Sequence, residues 1–407
     1  MRDGWVAEKL GAVTSKIGSG ATPRGGEESY KLAGIPLIRS LNVYDDGFRA
    51  AKLAKLDDEQ AARLSGVVVE PNDVLFNITG ASVARCCLAP AQFMPARVNQ
   101  HVAIIRPIAR RLDSALLRYL LISSIYKERL LQTGEAGSTR QAITKAQLQE
   151  LAIEFPESFA EQQRIVGILD EAFEGIATAK ANAEKNLQNA GALFESQLRS
   201  VFSQRGKGWV EKRLSDVAKT QYGLSKSMNE DGEGYKIFRM GELQDGRLID
   251  TGCMKFADID RAEFEKYRLR PGDILFNRTN SFELVGKTGL FDLPGDYCFA
   301  SYLVRVLLDS GVMLPAFLNY FMSSERFQVS VKRKASRSIN QANINATILA
   351  NETVIFPESL KEQRAVVTLL DRLREETRRL EFIYQRKLTA LDELKQSLLH
   401  QAFSADL

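Results

Sequence analysis

The chain has 407 residues, of which 44% are hydrophobic, and a formal net charge of +4. This length exceeds what one ordinary core supports and predicts two or more domains. No stretch approaches the roughly 18 consecutive apolar residues of a membrane span, and the sequence opens without an apolar signal region, so we expect a cytoplasmic chain. The spacing of Cys86, Cys87, Cys253 and Cys298 fits no metal site and predicts reduced thiols.

An internal repeat runs through the whole chain. Segments of the first half recur in the same order 200 to 204 residues later. A period this long indicates a duplicated domain rather than a solenoid. The matching segments are Gly4-Trp5-Val6 with Gly208-Trp209-Val210, Leu37-Ile38-Arg39 with Ile237-Phe238-Arg239, Pro71-Asn72-Asp73 with Pro271-Gly272-Asp273, and Phe155-Pro156-Glu157-Ser158 with Phe356-Pro357-Glu358-Ser359.

The repeat predicts the order domain, helix, domain, helix. The predicted bounds are 1–157 for the first domain, 158–204 for the first long helix, 205–358 for the second domain and 359–407 for the second long helix. We expect an α+β fold in which each domain mixes helices and strands, because β-branched runs alternate with Gly-Asp and Asn-Asp turns. The runs 67–69, 74–76, 102–105, 274–276 and 303–306 predict strands, and 116–131 and 315–331 predict helices.

Each long helix is predicted to begin just after a Phe-Pro pair. Ser158 and Ser359 are candidate N-caps, with Glu161 and Glu362 three residues further on. Apolar residues then recur every three or four positions for roughly 40 residues, or about 60 Å, without an internal proline. A narrow apolar stripe of this length favours a coiled coil, and pairing the two helices antiparallel would give a pseudo-two-fold repeat. A generic spacer or a dimerisation arm remains an alternative.

Three polar loops lie at matching places in the two domains. The glycine loop (18–24) is either a flexible turn or a close approach of backbone to phosphate. The strand-end loop (77–82) carries residue types that contact base edges, or is a capped turn. The basic loop (137–145) has a counterpart with four cations in six residues, which is either a surface for a polyanion or a solvated helix end. Their counterparts in the second domain are 221–226, 277–281 and 332–341.

These loops and the segments beside them supply the candidate nucleic-acid contacts. In the first domain they are Thr22, Arg24, Arg39, Asn77, Thr79, Ser82, Asn99, Gln100, His101, Ser138, Thr139, Arg140, Gln141 and Lys145. In the second domain they are Tyr222, Lys226, Arg239, Asn277, Arg278, Thr279, Asn280, Ser281, Tyr302, Lys332, Arg333, Lys334, Arg337, Asn340 and Gln341. The two copies differ most in these loops, as expected of two similar domains that bind different sequences.

The charge is distributed unevenly between the predicted domains and helices. Residues 1–155 carry 20 Lys and Arg against 16 Asp and Glu, and residues 205–356 carry 22 against 19. The helical segments 156–204 and 357–407 carry 4 against 7 and 9 against 9. This modest segregation is consistent with domains that face a polyanion and helices that face other protein.

Motifs of several enzyme classes are missing from the sequence. There is no Walker A motif, the glycine loop lacks the last glycine of a dinucleotide fingerprint, and no His/Cys cluster could hold zinc. Asp273 resembles the start of a metal nuclease site, but no carboxylate-x-lysine follows. His101 is more consistent with a polar contact or a structural role than with catalysis, and Tyr302 replaces it in the second copy. A non-catalytic specificity or scaffold subunit fits these absences.

The full set of features resembles the specificity subunits of type I restriction–modification systems. The resemblance rests on Phe155-Pro156-Glu157-Ser158 running into Glu161-Gln162-Gln163-Arg164, on the copy at Phe356-Pro357-Glu358-Ser359 with Glu362-Gln363-Arg364, on Pro271-Gly272-Asp273-Ile274-Leu275-Phe276, and on the two Gly-Trp starts. It covers the whole chain.

That resemblance implies two target-recognition domains on an antiparallel helical spacer, each contacting one half of a gapped double-stranded DNA site. It implies two methyltransferase subunits docked on the helices and additional restriction subunits. The complex would methylate adenine at N6, with S-adenosylmethionine, ATP and magnesium bound by the partners and no cofactor, small-molecule substrate or membrane contact for this chain. An added helical turn near Asn186 and Asn189 should then lengthen the gap between the half-sites.

Two other functions remain open from the sequence. One is a coiled-coil scaffold with two protein-binding domains, which steep salt dependence of DNA binding would exclude. The other is a self-contained restriction or methylation enzyme, which would need catalytic motifs that the sequence lacks.

Overall fold

A computed structural model describes residues 2–135, 142–204, 206, 208–308, 311–339 and 341–404. The chain divides into two compact units. Unit 1 comprises Met1–Glu184 with Arg386–Leu407, and unit 2 comprises Lys185–Gln385. Each unit therefore contains one domain and a segment of both long helices. Within the described ranges, no helix is long and apolar enough to cross a membrane.

The domain of unit 1 contains twelve strands and four helices in its described residues. The strands are β1 (Trp5–Lys9), β2 (Thr14–Ser19), β3 (Ile35–Ile38), β4 (Val43–Tyr44), β5 (Gly47–Phe48), β6 (Ala54–Leu56), β7 (Val68–Val69), β8 (Val74–Asn77), β9 (Cys86–Leu88), β10 (Ala96–Val98), β11 (Val102–Pro107) and β12 (Ala152–Pro156). The helices are α1 (Asp58–Arg63), α2 (Ser114–Ile122), α3 (Ser124–Glu135) and α4 (Lys145–Glu150), and the long helix α5 (Phe159–Ser203) follows.

Two four-stranded sheets form the body of this domain. One has the order β2-β11-β8-β9, and the other has the order β6-β3-β10-β7 with β3 and β10 parallel. The strands β8 and β11 are buried along most of their length because Val74, Phe76 and Ile105 fill one core while Leu75 and Ile104 fill the other. The first and last strands, β1 and β12, pair antiparallel and close the domain beside the start of α5.

The domain of unit 2 repeats this plan. Its strands are β13 (Trp209–Arg213), β14 (Ala218–Tyr222), β15 (Tyr235–Phe238), β16 (Leu243–Gln244), β17 (Gly246–Leu248), β18 (Lys255–Ala257), β19 (Ile274–Asn277), β20 (Thr279–Asn280), β21 (Thr288–Leu290), β22 (Tyr297–Phe299), β23 (Leu303–Leu308), β24 (Ser336–Ser338), β25 (Gln341–Asn343) and β26 (Thr353–Pro357). Its helices are α6 (Arg261–Tyr267), α7 (Pro315–Ser323), α8 (Glu325–Arg333) and α9 (Ala346–Ala350), and the long helix α10 (Leu360–Phe403) follows.

The central strands of the two main sheets in unit 2 correspond to those of unit 1, and unit 2 adds the small sheet β20-β25-β24. The order β14-β23-β19-β21 matches β2-β11-β8-β9 and is extended by β17 and β16, while β18-β15-β22 matches β6-β3-β10. The closing pair β13 and β26 matches β1 and β12. The fold class expected from the sequence, two similar mixed α/β domains with an internal repeat, is therefore confirmed.

In each domain, one segment that the sequence predicts as a single helix is interrupted, so that prediction was wrong. The segments 116–131 and 315–331 each form two helices that are separated at Ser123 and Ser324. Both serines are buried and extended, and their hydroxyls donate to the carbonyls of Leu120 and Phe321. The apolar spacing continues across the break, so it did not show that a serine side chain redirects the backbone.

The two long helices are confirmed, and each begins where a serine caps it. The amide N–H groups of Glu161 and Glu362 donate to the hydroxyls of Ser158 and Ser359, both at 3.4 Å. The carboxylate of Glu161 binds Arg164 on the next turn.

Inside each unit a segment of α5 packs antiparallel to a segment of α10. In unit 1, Lys395 lies over the ring of Phe173 at 5.1 Å, and Lys180 bonds to Asp392 at 2.6 Å further along α5. In unit 2, Arg374 lies over the ring of Phe194 at 4.7 Å. In unit 1, a residue further along α5 contacts a residue earlier in α10, as expected of two helices that run antiparallel.

A buried glutamine joins each domain to its long helix. The Gln162 side chain accepts from the amide of Asp113 at 2.8 Å and donates to the carbonyls of Arg111 at 3.0 Å and Pro156 at 2.8 Å. Gln363 makes the corresponding three bonds, to the amide of Leu314 at 2.8 Å and to the carbonyls of Val312 at 3.1 Å and Pro357 at 2.8 Å. Both side chains are fully buried, so three backbone groups in each unit depend on one amide.

Tyrosine–aspartate pairs form a second joint between domain and helix. The hydroxyl of Tyr119 donates to Asp170, and that of Tyr320 donates to Asp371 at 2.6 Å. Burial, reinforced by the carboxylate, raises the pKa of both tyrosines, and that of Tyr119 reaches about 12. Gln162 and Gln363, and likewise Asp170 and Asp371, thus have the same structural role in both copies.

We expect Gln162→Leu to destabilise unit 1 by about 3 kcal/mol, because it leaves one N–H and two carbonyl groups without a partner. Gln163→Leu is the matched control, since Gln163 is exposed on the same turn. Urea unfolding followed by Trp5 fluorescence in a Trp209→Phe background measures the difference. Equal unfolding midpoints for the two variants would contradict this role of Gln162.

Candidate nucleic-acid interface

The strand-end loops leave the buried strands β8 and β19 at corresponding positions. The side-chain amide of Asn77 donates to the carbonyl of Ser40 at 3.0 Å, and that of Asn277 donates to the carbonyl of Leu284 at 3.4 Å. The next residue in each copy bonds through its amide to the backbone carbonyl of His101 or Tyr302. This shared framework places His101 beside the loop in unit 1 and Tyr302 beside it in unit 2.

In unit 1 a chain of polar side chains crosses this region. The hydroxyl of Thr22 bonds to Gln100, whose amide lies 3.1 Å from Nε2 of His101, and Nδ1 of His101 lies 2.6 Å from the hydroxyl of Thr79. A shallow depression beside it is lined in part by Thr79, Ser82 and His101. The structure thus brings together five candidate residues from the glycine loop, the strand-end loop and the segment before β11.

In unit 2 an arginine occupies the place that the hydrogen-bonded side chains around His101 occupy in unit 1. The guanidinium of Arg278 lies 5.0 Å from the ring centre of Tyr222 and donates to the carbonyl of Ser301 and to Asn343, both at 3.3 Å. The amide of Asn343 in turn donates to the hydroxyl of Thr279 at 2.8 Å. The framework is the same in both units, but the side chains that it presents are different.

The basic loop of unit 2 forms the end of α8 followed by a hairpin. The strands β24 and β25 pair antiparallel, and β25 also pairs with β20, so the hairpin lies directly beside the strand-end loop. Arg333 is exposed at the end of α8. The candidate residues Arg337 and Gln341 stand on the hairpin and are also exposed.

Contacts within the protein hold several of these cations. Lys332 donates to the carbonyl of Glu283 at 2.9 Å, and Lys334 pairs with the buried carboxylate of Glu352 at 2.7 Å. Burial lowers the pKa of Lys332, and the nearby charge of Lys287 acts in the same direction. Arg337 lies 3.8 Å from the ring centre of Phe282. Because these contacts restrict the side chains of Lys332, Lys334 and Arg337, the three cations are partly ordered before any ligand binds.

The glycine loops owe their glycines to a close approach between chains. A Cβ on Gly20 would lie 1.7 Å from the carbonyl oxygen of Val98, and a Cβ on Gly223 would lie 2.2 Å from that of Ala300. Packing within the domain therefore accounts for these two glycines. A phosphate-binding role is not required to explain them.

Four candidate side chains cannot reach a base edge as the structure stands. Asn77, Asn99, Asn277 and Thr279 are buried, and each is hydrogen-bonded within the protein. Their assignment as direct contacts stays a prediction, and their burial favours a role in shaping the loops. Polarity alone does not distinguish a residue that shapes a loop from one that faces solvent.

Other candidates lie apart from these clusters or are held by partners. Arg39 pairs with Glu27 at 2.6 Å, Arg239 pairs with Glu242 at 2.7 Å, and Lys226 pairs with Glu263 on α6. Hydrogen bonding to Glu263 raises the pKa of Lys226.

Arg24 and Lys145 are exposed. Asn280 and Ser281 lie in the strand-end loop, where the side chain of Asn280 accepts from the amide of Ser281 at 2.8 Å. The remaining candidates, Ser138, Thr139, Arg140, Gln141 and Asn340, lie outside the described residues.

Several side chains of these surfaces lie outside the segments that the sequence pattern singles out. Tyr44 in unit 1 has Arg49 at 3.6 Å and Arg85 at 4.9 Å from its ring centre. In unit 2, Phe282 and Asn343 hold candidate arginines in place. Phe282 directly follows Ser281 and Arg85 closely follows Ser82, so continuing both loops by three residues would have included them.

The described residues carry no group of three His, Cys, Asp or Glu side chains that could hold a metal ion. Asp273 has a structural role, because its carboxylate accepts from the amide of Arg270 at 2.7 Å and lies 3.3 Å from Arg305. In unit 1, the carboxylate of Asp73 likewise accepts from the amide of Glu70 and from the guanidinium of Arg106.

Comparison with known proteins identifies the family. The model of the type I restriction modification DNA specificity domain matches residues 3–188 and again residues 206–385. The chain belongs to this family. It is a DNA specificity subunit of a type I restriction–modification system, and specificity subunits of these systems bind DNA and the other subunits of their complex.

Relatives align along the whole chain. The specificity subunit of the type I restriction enzyme EcoKI of Escherichia coli K12 is 24% identical over all of this chain and 89% of its own length. The StySPI specificity subunit of Salmonella potsdam is also 24% identical, again over all of this chain and 89% of its own.

Solved structures share the fold. One, from work on assembly and conformational transition of a type I system, has a TM-score of 0.77 at 19% identity and covers 100% of this chain and 99% of its own. The HsdS subunit from Thermoanaerobacter tengcongensis has a TM-score of 0.63 at 19% identity and covers 100% and 98%.

We expect Gly20→Ala to destabilise unit 1 by about 2 kcal/mol or more, because β2 and the carbonyl of Val98 must move apart. Gly18→Ala is the matched control, since a Cβ at Gly18 meets no atom within 4 Å. Thermal unfolding measures both variants. A Gly20→Ala protein as stable as Gly18→Ala would show that packing does not require this glycine.

Proposed function

We propose that each domain recognises one half of a two-part DNA site, and that α5 and α10 set the gap and hold methyltransferase subunits. One observation carries the proposal. The two domains share a framework of buried strands and a buried asparagine, and at the same place they present different polar side chains. A common scaffold with different side chains is what two half-sites of different sequence require.

The chemistry of the presented groups suits DNA. Arginine, glutamine, histidine and hydroxyl side chains supply donors and acceptors for base edges, and exposed cations such as Arg24 and Arg333 can neutralise phosphates. Aromatic rings under Arg278 and Arg337 reduce the number of positions that these side chains sample. Ordered donors favour sequence recognition over non-specific attraction.

The long helices carry exposed apolar residues that suit docked subunits. Unit 1 exposes Ile168 on α5 and Leu394 on α10, and unit 2 exposes Leu369 on α10 and Leu193 on α5. Each pair is the repeat of the other at an offset of 201 residues, which supports two equivalent methyltransferase subunits. Restriction subunits would complete the complex.

The catalytic chemistry belongs to the partners in this proposal. The chain itself is non-catalytic, and the complex methylates adenine at N6 with S-adenosylmethionine. ATP and magnesium would serve the restriction subunits. Methylation of DNA by the isolated chain would contradict this division of labour.

The direct test maps methylated adenines across the genome of cells with and without this chain. Loss of one gapped motif in its absence supports the proposal and identifies both half-sites. An unchanged methylation map in cells that express the partner subunits would overturn it.

A change in salt dependence tests the phosphate contacts. We expect Arg333→Ala to lower the slope of log affinity against log salt by about one, because one phosphate contact is lost. Lys361→Ala is the control, since Lys361 is exposed in the first turn of α10 and belongs to none of the candidate loops. Binding of the assembled complex to a duplex carrying its site is measured between 50 and 200 mM salt, as is usual for such titrations. Binding without salt dependence in the wild type would instead favour a protein scaffold.

A further inference from the structure

The hairpin β24–β25 of unit 2 carries one exposed arginine, Arg337, whose surroundings differ from those of the other cations nearby. Arg337 stands on the edge strand β24, opposite Ala342 on β25, which is in turn opposite Asn280 on β20. All three residues of β24 are exposed. The buried Ala342 beneath this row fixes the hairpin to the domain.

The flat face of the Arg337 guanidinium is held by an aromatic ring. Its central carbon lies 3.8 Å from the ring centre of Phe282, which follows the strand-end loop and is itself 37% exposed. A cation this close to a ring face is attracted to it and loses much of its rotational freedom. The hydrogen-bonding edge of the guanidinium is left uncovered, since no described residue hydrogen-bonds to it.

The other cations around this site differ from Arg337. Arg278 donates to Ser301 and Asn343, Lys332 donates to Glu283, and Lys334 pairs with Glu352. Arg333 is exposed, but no described aromatic ring orients it. Among these five side chains, only Arg337 has its guanidinium against an aromatic ring while the N–H groups of that guanidinium have no hydrogen-bond partner among the described residues.

From this geometry we infer that Arg337 recognises a guanine in the half-site of unit 2, and that Phe282 positions it. The inference rests on the proposed function. A two-stranded ribbon fits the major groove, where the O6 and N7 atoms of guanine accept two parallel hydrogen bonds from a guanidinium. Arginine forms this pair with a planar fork that lysine lacks. Pre-ordering by Phe282 lowers the entropy lost when the pair forms.

The test selects binding sites from randomised duplexes with the assembled complex. We expect Arg337→Gln to reduce the preference for guanine at one base pair by about tenfold or more and to leave the other positions unchanged. Arg337→Lys should lose most of that preference while keeping the charge. Phe282→Leu should weaken it with Arg337 intact, and Phe282→Tyr should restore it.

Arg333→Ala is the matched control from the same loop. It should weaken binding to all sequences alike, as expected of a phosphate contact. A uniform loss for Arg337→Gln as well, with every base preference kept, would overturn the assignment. Failure of the proposed function has a different signature, because the wild-type complex would then select no sequence. Unchanged melting temperatures establish that the variants are folded.

Discussion

Two buried glutamines hold the architecture together. Gln162 and Gln363 each satisfy one amide and two carbonyl groups at the point where a domain meets its long helix. An apolar side chain would leave those groups unpaired at considerable cost, so each domain is oriented on its helix by hydrogen bonds as well as by packing. The tyrosine–aspartate pairs at Asp170 and Asp371 reinforce the same joint about two helical turns later.

With the joint and the central strands shared, the two units differ in the loops and in the hairpin β24–β25 beside them. The backbone of His101 and that of Tyr302 accept the same bond from the residue after the buried asparagine, yet one side chain continues into a hydroxyl–amide chain and the other is exposed. Unit 2 adds arginines stacked on Tyr222 and Phe282. A framework that tolerates such different side chains can acquire a new half-site without refolding.

Much of this could be predicted from the sequence, because duplication makes the pattern visible twice. Helix bounds, central strands and the matching loops followed from periodicity and from paired motifs. The breaks at Ser123 and Ser324 did not, because apolar spacing continues across them. Nor could polarity show that Asn77 and Asn277 are buried, or that Arg337 lies on a ring 55 residues earlier in the chain; those facts depend on tertiary contacts.

If the two domains are interchangeable on equivalent joints, replacing one by the other changes the recognised site in a defined way. Residues 208–357 would be replaced by residues 4–156, so that Gln363 meets the backbone groups that Gln162 meets in unit 1. Genome-wide mapping of methylated adenines in cells with the partner subunits is the measurement. We expect a motif whose two halves are copies of the half-site of unit 1. A folded chain that yields the original motif, or a second half unrelated to the first, would contradict it.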